Sequence, residues 1–373
     1  MIIGVPKETH HHEHRVGLAP FAMSRLVQQG HTVLVEKQAG EAARFTDRKF
    51  QEAGAQIVYN PDEVYRRADI VCRVGALSND ELALLRPESI VCAFHHVAVM
   101  SRERLERLIA LKTTLIGYEV IQDRHGDLPV LRPMSEMAGH MAVNIAAHYL
   151  QKEEGGRGVL LGAVAGVPPP TVLVLGAGTV GRAAARQALA SGAHVIVLDA
   201  DLVKLQRLHH EFAGRVITAM PAVERLTRFT SFADVLIGAI LIPGARAPFV
   251  VTEAMVKGMK PGSVVLDISI DQGGCVETSR PTNLQNPTFV VNEVIHYCVP
   301  NMTANIPRTA SRALSTAALP YFLEMAGKGP ERALKENPGL AAGVYLWRGE
   351  MVNEKAGAAL GVPVKPLQQL FQR

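Results

Sequence analysis

Three glycines, Gly176, Gly178 and Gly181, stand in the order G-x-G-x-x-G directly after the apolar run 172–175, and an alanine-rich stretch comes next. Each position has a physical role in binding a pyrophosphate. The first glycine permits a tight turn out of a strand, the second lets the backbone come close to phosphate, and the third lets a helix pack against the sheet. The free N–H groups and the dipole at that helix start attract anions. A second apolar run, 195–198, ends on Asp199, 23 residues after Gly176. A carboxylate there accepts hydrogen bonds from ribose hydroxyls and repels a 2′-phosphate, which favours NAD over NADP. Glycines serving only a tight turn are the alternative, and the strand, helix, strand and terminal acid together weigh against it.

Other residues could handle a small polar substrate. Arg15 precedes an apolar helix start, and a guanidinium matches a carboxylate with two parallel bonds. Two further strand ends carry chemistry, Cys72-Arg73-Val74-Gly75 and Phe94-His95-His96-Val97. A histidine at a strand end can donate or accept a proton near neutral pH, or simply line a core. Asp271 lies just past the strand 263–268, as either a proton carrier or a turn residue in a glycine-rich run. His10, His11, His12 and His14 suggest a metal, but neighbouring loop histidines point apart and no acid or cysteine has ligand spacing. A solvated loop and no metal are expected.

The elements that must position these groups read as alternating strand and helix. Apolar runs at 2–5, 32–36, 57–59, 69–74, 90–94 and 114–116 are separated by helical stretches such as 20–27, 47–53 and 102–110. That alternation predicts a parallel sheet covered on both faces. A long helix, 134–153, then leads through a glycine-rich loop, 155–170, into the fingerprint. Strands at 233–239 and 263–268 continue a second sheet, and 288–291 reads as its last strand. A helix is expected over 308–324 with a kink at Pro320, and the tail reads as short helices and loops.

The fold class expected is α/β, two doubly wound Rossmann-type domains with a cleft between them, linked by two long helices. The first domain is discontinuous, 1–132 plus 309–373, and takes the substrate; 133–308 binds NAD. At 373 residues, two domains suit the length. A net charge of +4 with no basic run argues against nucleic acid. Cys72, Cys92, Cys275 and Cys298 are far apart and read as reduced core thiols. No signal peptide or membrane-spanning segment is evident, so the cytoplasm is expected.

Several motifs carry a family resemblance across the whole chain. PKET with HRVGLAP, then MSEMAGHMA, GGRGVLLG, VLGAGTVGRAAA, IGAILIPGARAP, VVLDISIDQGGC, SRPT and NMTANIPRTAS resemble bacterial L-alanine dehydrogenase. A related family is the nicotinamide nucleotide transhydrogenase alpha subunit, which works with membrane-spanning partners and fits a chain expected to end soluble at Arg373 less well. The resemblance implies NAD-dependent oxidative deamination of a small L-amino acid to a 2-oxo acid and ammonia, and its reverse, in a cytoplasmic homohexamer. It implies that Arg15 grips the substrate carboxylate, His96 bonds the reacting carbonyl or imine and moves protons, and Asp271, beside the nicotinamide, helps protonate and orient the carbinolamine. Ser135, Gly176, Gly178, Thr179, Val180, Gly181, Asp199, Lys204, Asn301 and Met302 match positions lining the cofactor.

One departure matters. The family reads lysine-valine-lysine-glutamate-proline where this chain reads Arg73, Val74, Gly75, Ala76 and Leu77, so a substrate-site lysine is Gly75 here. Arg73, two positions back on the same strand face, is the residue that could supply the missing charge. Three readings stay open: an amino-acid dehydrogenase with a substrate altered by Gly75, an ordinary alanine dehydrogenase with a repositioned charge, and a regulatory homologue that holds NAD without turnover.

Overall fold

A computed structural model describes residues 1–10, 12–242 and 246–371. Six strands come first, β1 (Ile2–Val5), β2 (Thr32–Glu36), β3 (Gln56–Val58), β4 (Ile70–Gly75), β5 (Ile90–Phe94) and β6 (Thr114–Gly117). After the long helix Arg132–Tyr149 come β7 (Thr171–Leu175), β8 (His194–Leu198), β9 (Ile217–Ala219), β10 (Val235–Gly238), β11 (Val264–Asp267), β12 (Thr288–Val291) and β13 (Val294–Tyr297). The helix Pro307–Lys328 runs on through Pro320, and β14 (Val344–Trp347) and β15 (Glu350–Met351) close the series.

These elements form two compact units. The first contains 1–134 and 304–371, and the second contains 135–242 and 246–303. In the first unit the sheet order is β3-β2-β1-β4-β5-β6-β14-β15, parallel from β3 to β6 and antiparallel beyond. In the second it is β9-β8-β7-β10-β11-β13-β12, parallel except for the β12 edge. Both therefore run in the doubly wound order, with the connection direction reversing between β1 and β4 and between β7 and β10. Ligands of such sheets bind past the carboxyl ends of the strands near that reversal.

The apolar runs form strands here because both faces are covered. In β7, Val172 and Val174 join one core cluster with Ala184, Ala185 and Ala188 of the fingerprint helix, while Leu173 and Leu175 join another with Leu226, Met255 and Val256. A period of two along the strand thus divides the core into two layers. Gly139 explains one small residue of the long helix. A Cβ there would stand 2.4 Å from the Val180 carbonyl, so glycine lets this helix lie directly on the fingerprint helix Thr179–Ala190.

The structure differs from the sequence expectations at the sheet margins. The tail is not only helices and loops, because β14 is buried and pairs antiparallel with β6 to extend the first sheet. Residues 288–291 are not the last strand of the second sheet. β13 comes after them and lies inside it, with buried His296 satisfied by Thr278 and by its own strand at Val294. All four cysteines are free and buried. Among the described residues, no helix is long and apolar enough to cross a membrane.

Candidate active site

In the first unit, the chain leaves β1 into a long loop that carries Arg15. Its guanidinium is 2% exposed and is gripped by Glu13, with Nε at 2.7 Å from Oε1 and Nη2 at 2.5 Å from Oε2. The Arg15 amide also donates to Glu13, and Nη1 points at the Met134 sulfur at 3.7 Å. Burial alone would raise the Glu13 carboxyl, but the Arg15 charge and hydrogen bonds hold it below the usual range. The helix Pro307–Lys328 fixes this loop, as the buried hydroxyls of Ser311 and Ser315 accept the amides of Val16 and Ala19 at 3.0 and 2.7 Å. A polar cavity of about 400 Å³ opens beside it, lined by Lys7, Glu8, Thr9, His10, His12, His14 and Arg15 with residues after β2. His11 lies outside the described residues. Among those described, no three acids, histidines or cysteines are grouped to hold a metal.

Arg73 does not stand where a substrate-binding role requires. Its side chain is fully enclosed, with Nη2 2.7 Å from Glu8, Nη1 2.5 Å from Glu81, and the Tyr65 hydroxyl accepting at 2.9 Å. Two carboxylates already meet one guanidinium charge, so Arg73 is a structural ion centre and not a spare cation. The β4–β5 pairing also shifts register between Cys72 and Gly75, which undoes a simple same-face argument. Glu81 belongs to the capping box of the helix Asn79–Leu84, with Ser78 as its partner. That S-x-x-E signal was legible in the sequence, whereas Glu8 gave none.

Gly75 ends β4, is partly exposed, and needs no positive φ. A Cβ built there meets only Glu8 Oε2, at 3.8 Å. The backbone would accept a side chain, so neither close packing nor a strained turn explains this glycine.

The two histidines after β5 have separate fates. His95 is 4% exposed, its Nε2 lies 3.2 Å from the Val91 carbonyl, and burial lowers its pKa. It is a neutral core residue. His96 is partly exposed, takes the left-handed conformation at φ 46°, and stacks its ring beside Phe94. Its Nδ1 is buried and has no hydrogen-bond partner among the described residues, so, unlike that of His95, this ring is not spent on the fold's own hydrogen bonds.

In the second unit every glycine of the fingerprint is accounted for. Gly176 has φ 104°, and a Cβ on Gly181 would stand 1.8 Å from the Gly176 carbonyl. At Gly178 a Cβ would meet nothing within 4 Å. The fold itself does not require the second glycine, which is the signature of room kept for a ligand at the start of a helix. Thr179 and Val180 form the first turn of that helix. Asp199 accepts the amides of Ala177 at 2.6 Å and Asp201 at 2.8 Å, tying the glycine turn to the end of β8. A carboxylate has about four acceptor sites, so capacity for ribose hydroxyls remains. These residues fit a dinucleotide.

The other cofactor candidates are spread around the same unit. Ser135 lies in the first turn of the helix Arg132–Tyr149, and Lys204 is exposed on the helix Leu202–Glu211, 4.0 Å from Asp201. Asp271 sits after β11 in a short 3-10 turn and accepts the Asn301 amide at 2.9 Å, with Asn301 itself left-handed at φ 52°. Met302 is buried in the core cluster under the fingerprint helix. Asp267, which the sequence did not flag, anchors the Asp271 loop by accepting the amides of Ser269, Cys275 and Val276.

Two doubly wound units, one with a glycine turn that fits a dinucleotide and one with a buried arginine and a histidine past its strands, define a two-domain, dinucleotide-binding α/β protein. Sequence models narrow this class. The alanine dehydrogenase/PNT N-terminal domain matches residues 4–138 and the C-terminal domain matches 142–354. The chain belongs to this family. It is 44% identical to the alanine dehydrogenase of Mycobacterium tuberculosis over 97% of this chain and 98% of that one, and 41% identical to that of Halomonas elongata over 97% of each. A solved L-alanine dehydrogenase superimposes with a TM-score of 0.90 at 39% identity, covering 97% of this chain and 99% of the other. A transhydrogenase from Sinorhizobium meliloti, at 23% identity and a TM-score of 0.78, shares the fold.

Proposed function

We propose that this protein is an NAD-dependent oxidoreductase acting on the CH–NH2 group of a small L-amino acid, giving a 2-oxo acid and ammonia, and running in reverse. One observation carries the reading: the match to an alanine dehydrogenase, at 44% identity, covers 97% of the chain. The open space at Gly178, where a Cβ would meet nothing within 4 Å at the start of the fingerprint helix, supports it.

Bound NAD supplies the two-electron acceptor for the substrate Cα–H bond. The protein's own residues do the rest. Arg15, oriented by Glu13, binds the α-carboxylate and fixes the direction of the Cα–H bond, which replaces an orientational search with a bound geometry. Water adds to the resulting imine to give a carbinolamine; His96 exchanges a proton with its oxygen or nitrogen and Asp271 protonates the departing amine, so that ammonia leaves and the water oxygen becomes the 2-oxo group. Asp199 and the amides around Gly178 hold the adenosine ribose and the diphosphate. Family membership supports a cytoplasmic homohexamer, which sedimentation tests.

We further propose that Gly75 widens the substrate pocket, so that an amino acid larger than alanine or of different polarity is preferred. The open space at its Cβ position and the full engagement of Arg73 support this. The test is a panel of amino acids with NAD, and of 2-oxo acids with NADH and ammonium, monitored by cofactor absorbance. Larger acids are expected to exceed alanine, and Gly75→Lys to shift preference toward alanine. Alanine turned over best by the unsubstituted chain would sink the altered preference. NAD binding without turnover of any acid would favour a regulatory homologue.

A further inference from the structure

Glu119 is a buried carboxylate that the proposed chemistry does not use. It lies just after β6 and is 2% exposed, and its Oε1 accepts two successive amides, His95 at 3.1 Å and His96 at 2.7 Å. Its Oε2 lies 3.3 Å from the His95 amide. Successive N–H groups ending in a left-handed residue form a concavity that suits an anion. Here the anion is the protein's own side chain.

The carboxylate is in turn held from the far end of the chain. The Tyr345 ring, on β14, crosses Gly117 so closely that a Cβ on Gly117 would stand 2.3 Å from the ring and 3.1 Å from Glu119 Oε2. Burial first, and then the neighbouring Glu119 charge, push the Tyr345 hydroxyl well above the ordinary phenol value. Glycine at 117 is thus what lets β14 lay Tyr345 across β6, against Glu119.

His96 needs such a hold. A non-glycine residue at φ 46° is strained, and such conformations persist only where the surroundings impose them. We propose that Glu119 is a positioning residue for the reaction: its carboxylate fixes His96 in the left-handed conformation that presents the imidazole to the substrate. This rests on the role given to His96 above. Glu119 touches neither substrate nor cofactor in this reading, so its loss lowers turnover without loosening carboxylate or NAD binding.

Glu119→Gln keeps one oxygen able to accept both amides, whereas Glu119→Ala removes the acceptor. In Glu119→Ala, kcat is expected to fall on the order of 10²-fold, with KM and the NAD dissociation constant held within about threefold. Glu119→Gln is expected to recover kcat to within roughly tenfold of the unsubstituted chain. An alanine variant with kcat within about twofold of the unsubstituted chain would overturn the proposal. So would a common fall in kcat, substrate binding and NAD binding in both variants, which marks a purely structural role. Amide hydrogen exchange of a peptide covering residues 92–99 gives a reading independent of turnover: it accelerates in Glu119→Ala and not in Glu119→Gln if the clamp is real. Should the unsubstituted chain oxidise no amino acid, the proposed function falls, and unchanged exchange in the alanine variant then overturns the clamp on its own.

Discussion

The two sheets share one strand order and differ in the segment that leaves the first strand. After β7 the chain turns through Gly176 and Gly178 into a helix, which offers an incoming ligand backbone amides. After β1 the helix begins only at Pro20, and the residues there that could meet a ligand do so with side chains. A diphosphate is large, multiply charged and well served by a row of N–H groups. A small carboxylate needs a directed cation and a proton carrier, and only side chains provide these. The same scaffold is therefore specialised by the length of one loop.

The supporting chemistry differs too. The first unit keeps its ligand edge in place with buried ions, Arg15 on Glu13 and Arg73 on Glu8 and Glu81. The second uses carboxylates that accept backbone amides, Asp199 and Asp267, and close contacts made possible by glycine. Ion centres buried in this way are costly to break from one side.

Four measurements would break or sharpen this division. The largest effect is expected from His96→Ala, on the order of 10²- to 10⁴-fold in kcat with NAD affinity unchanged; weakened NAD binding would show that chemistry and cofactor are not divided as described. Next comes Arg73→Met, which strands two buried carboxylates and is expected to cost about 3–5 kcal/mol. The one tryptophan, Trp347, is buried in the first unit, so its fluorescence in a urea titration reads that loss where it arises. A loss below about 1 kcal/mol would mean that Arg73 is not the ion centre described.

Acid is expected to act unequally on the two units. Burial alone would raise Glu13 and Glu81, but their arginines hold both below the ordinary 4.5. Their stabilisation is complete above that value and is lost as the pH falls through the lowered pKa of the folded state. Burial raises Asp267 above the ordinary 3.8, so its contribution runs the other way and becomes more favourable as the pH drops. Below pH 4.5 the Trp347 signal should therefore change before amide exchange quickens around residues 264–279. The reverse order would contradict the assignment. The smallest effect belongs to Gly178→Ala. Stability should stay within about 0.5 kcal/mol, and NAD affinity should fall roughly tenfold, measured by fluorescence of bound NADH. A large loss of stability would show that the fold, and not a ligand, requires that glycine.

Much of the cofactor side was legible in the sequence because it is local. Strand, glycine turn, helix, strand and Asp199 lie within thirty residues, 171–200, and they act on one another: Gly181 packs on Gly176, and Asp199 accepts the Ala177 amide. The substrate side was legible only in part. Arg15 and His96 stand out as chemistry-bearing types, but the enclosure of Arg73 depends on Glu8 and Glu81, and the choice between His95 and His96 depends on which ring is spent on the Val91 carbonyl and which keeps a nitrogen without a partner. β14 and Tyr345 were missed because a four-residue strand near the end of the chain has its partner at residues 114–117.

The sequence by itself determined the α/β class, the dinucleotide cradle and the family, since periodicity, glycine spacing and motif order are properties of neighbours along the chain. Tertiary structure alone decided which charged groups are buried against one another. Arg73 meets Glu8 and Glu81 from two other parts of the chain, and no spacing along the sequence announces that pairing.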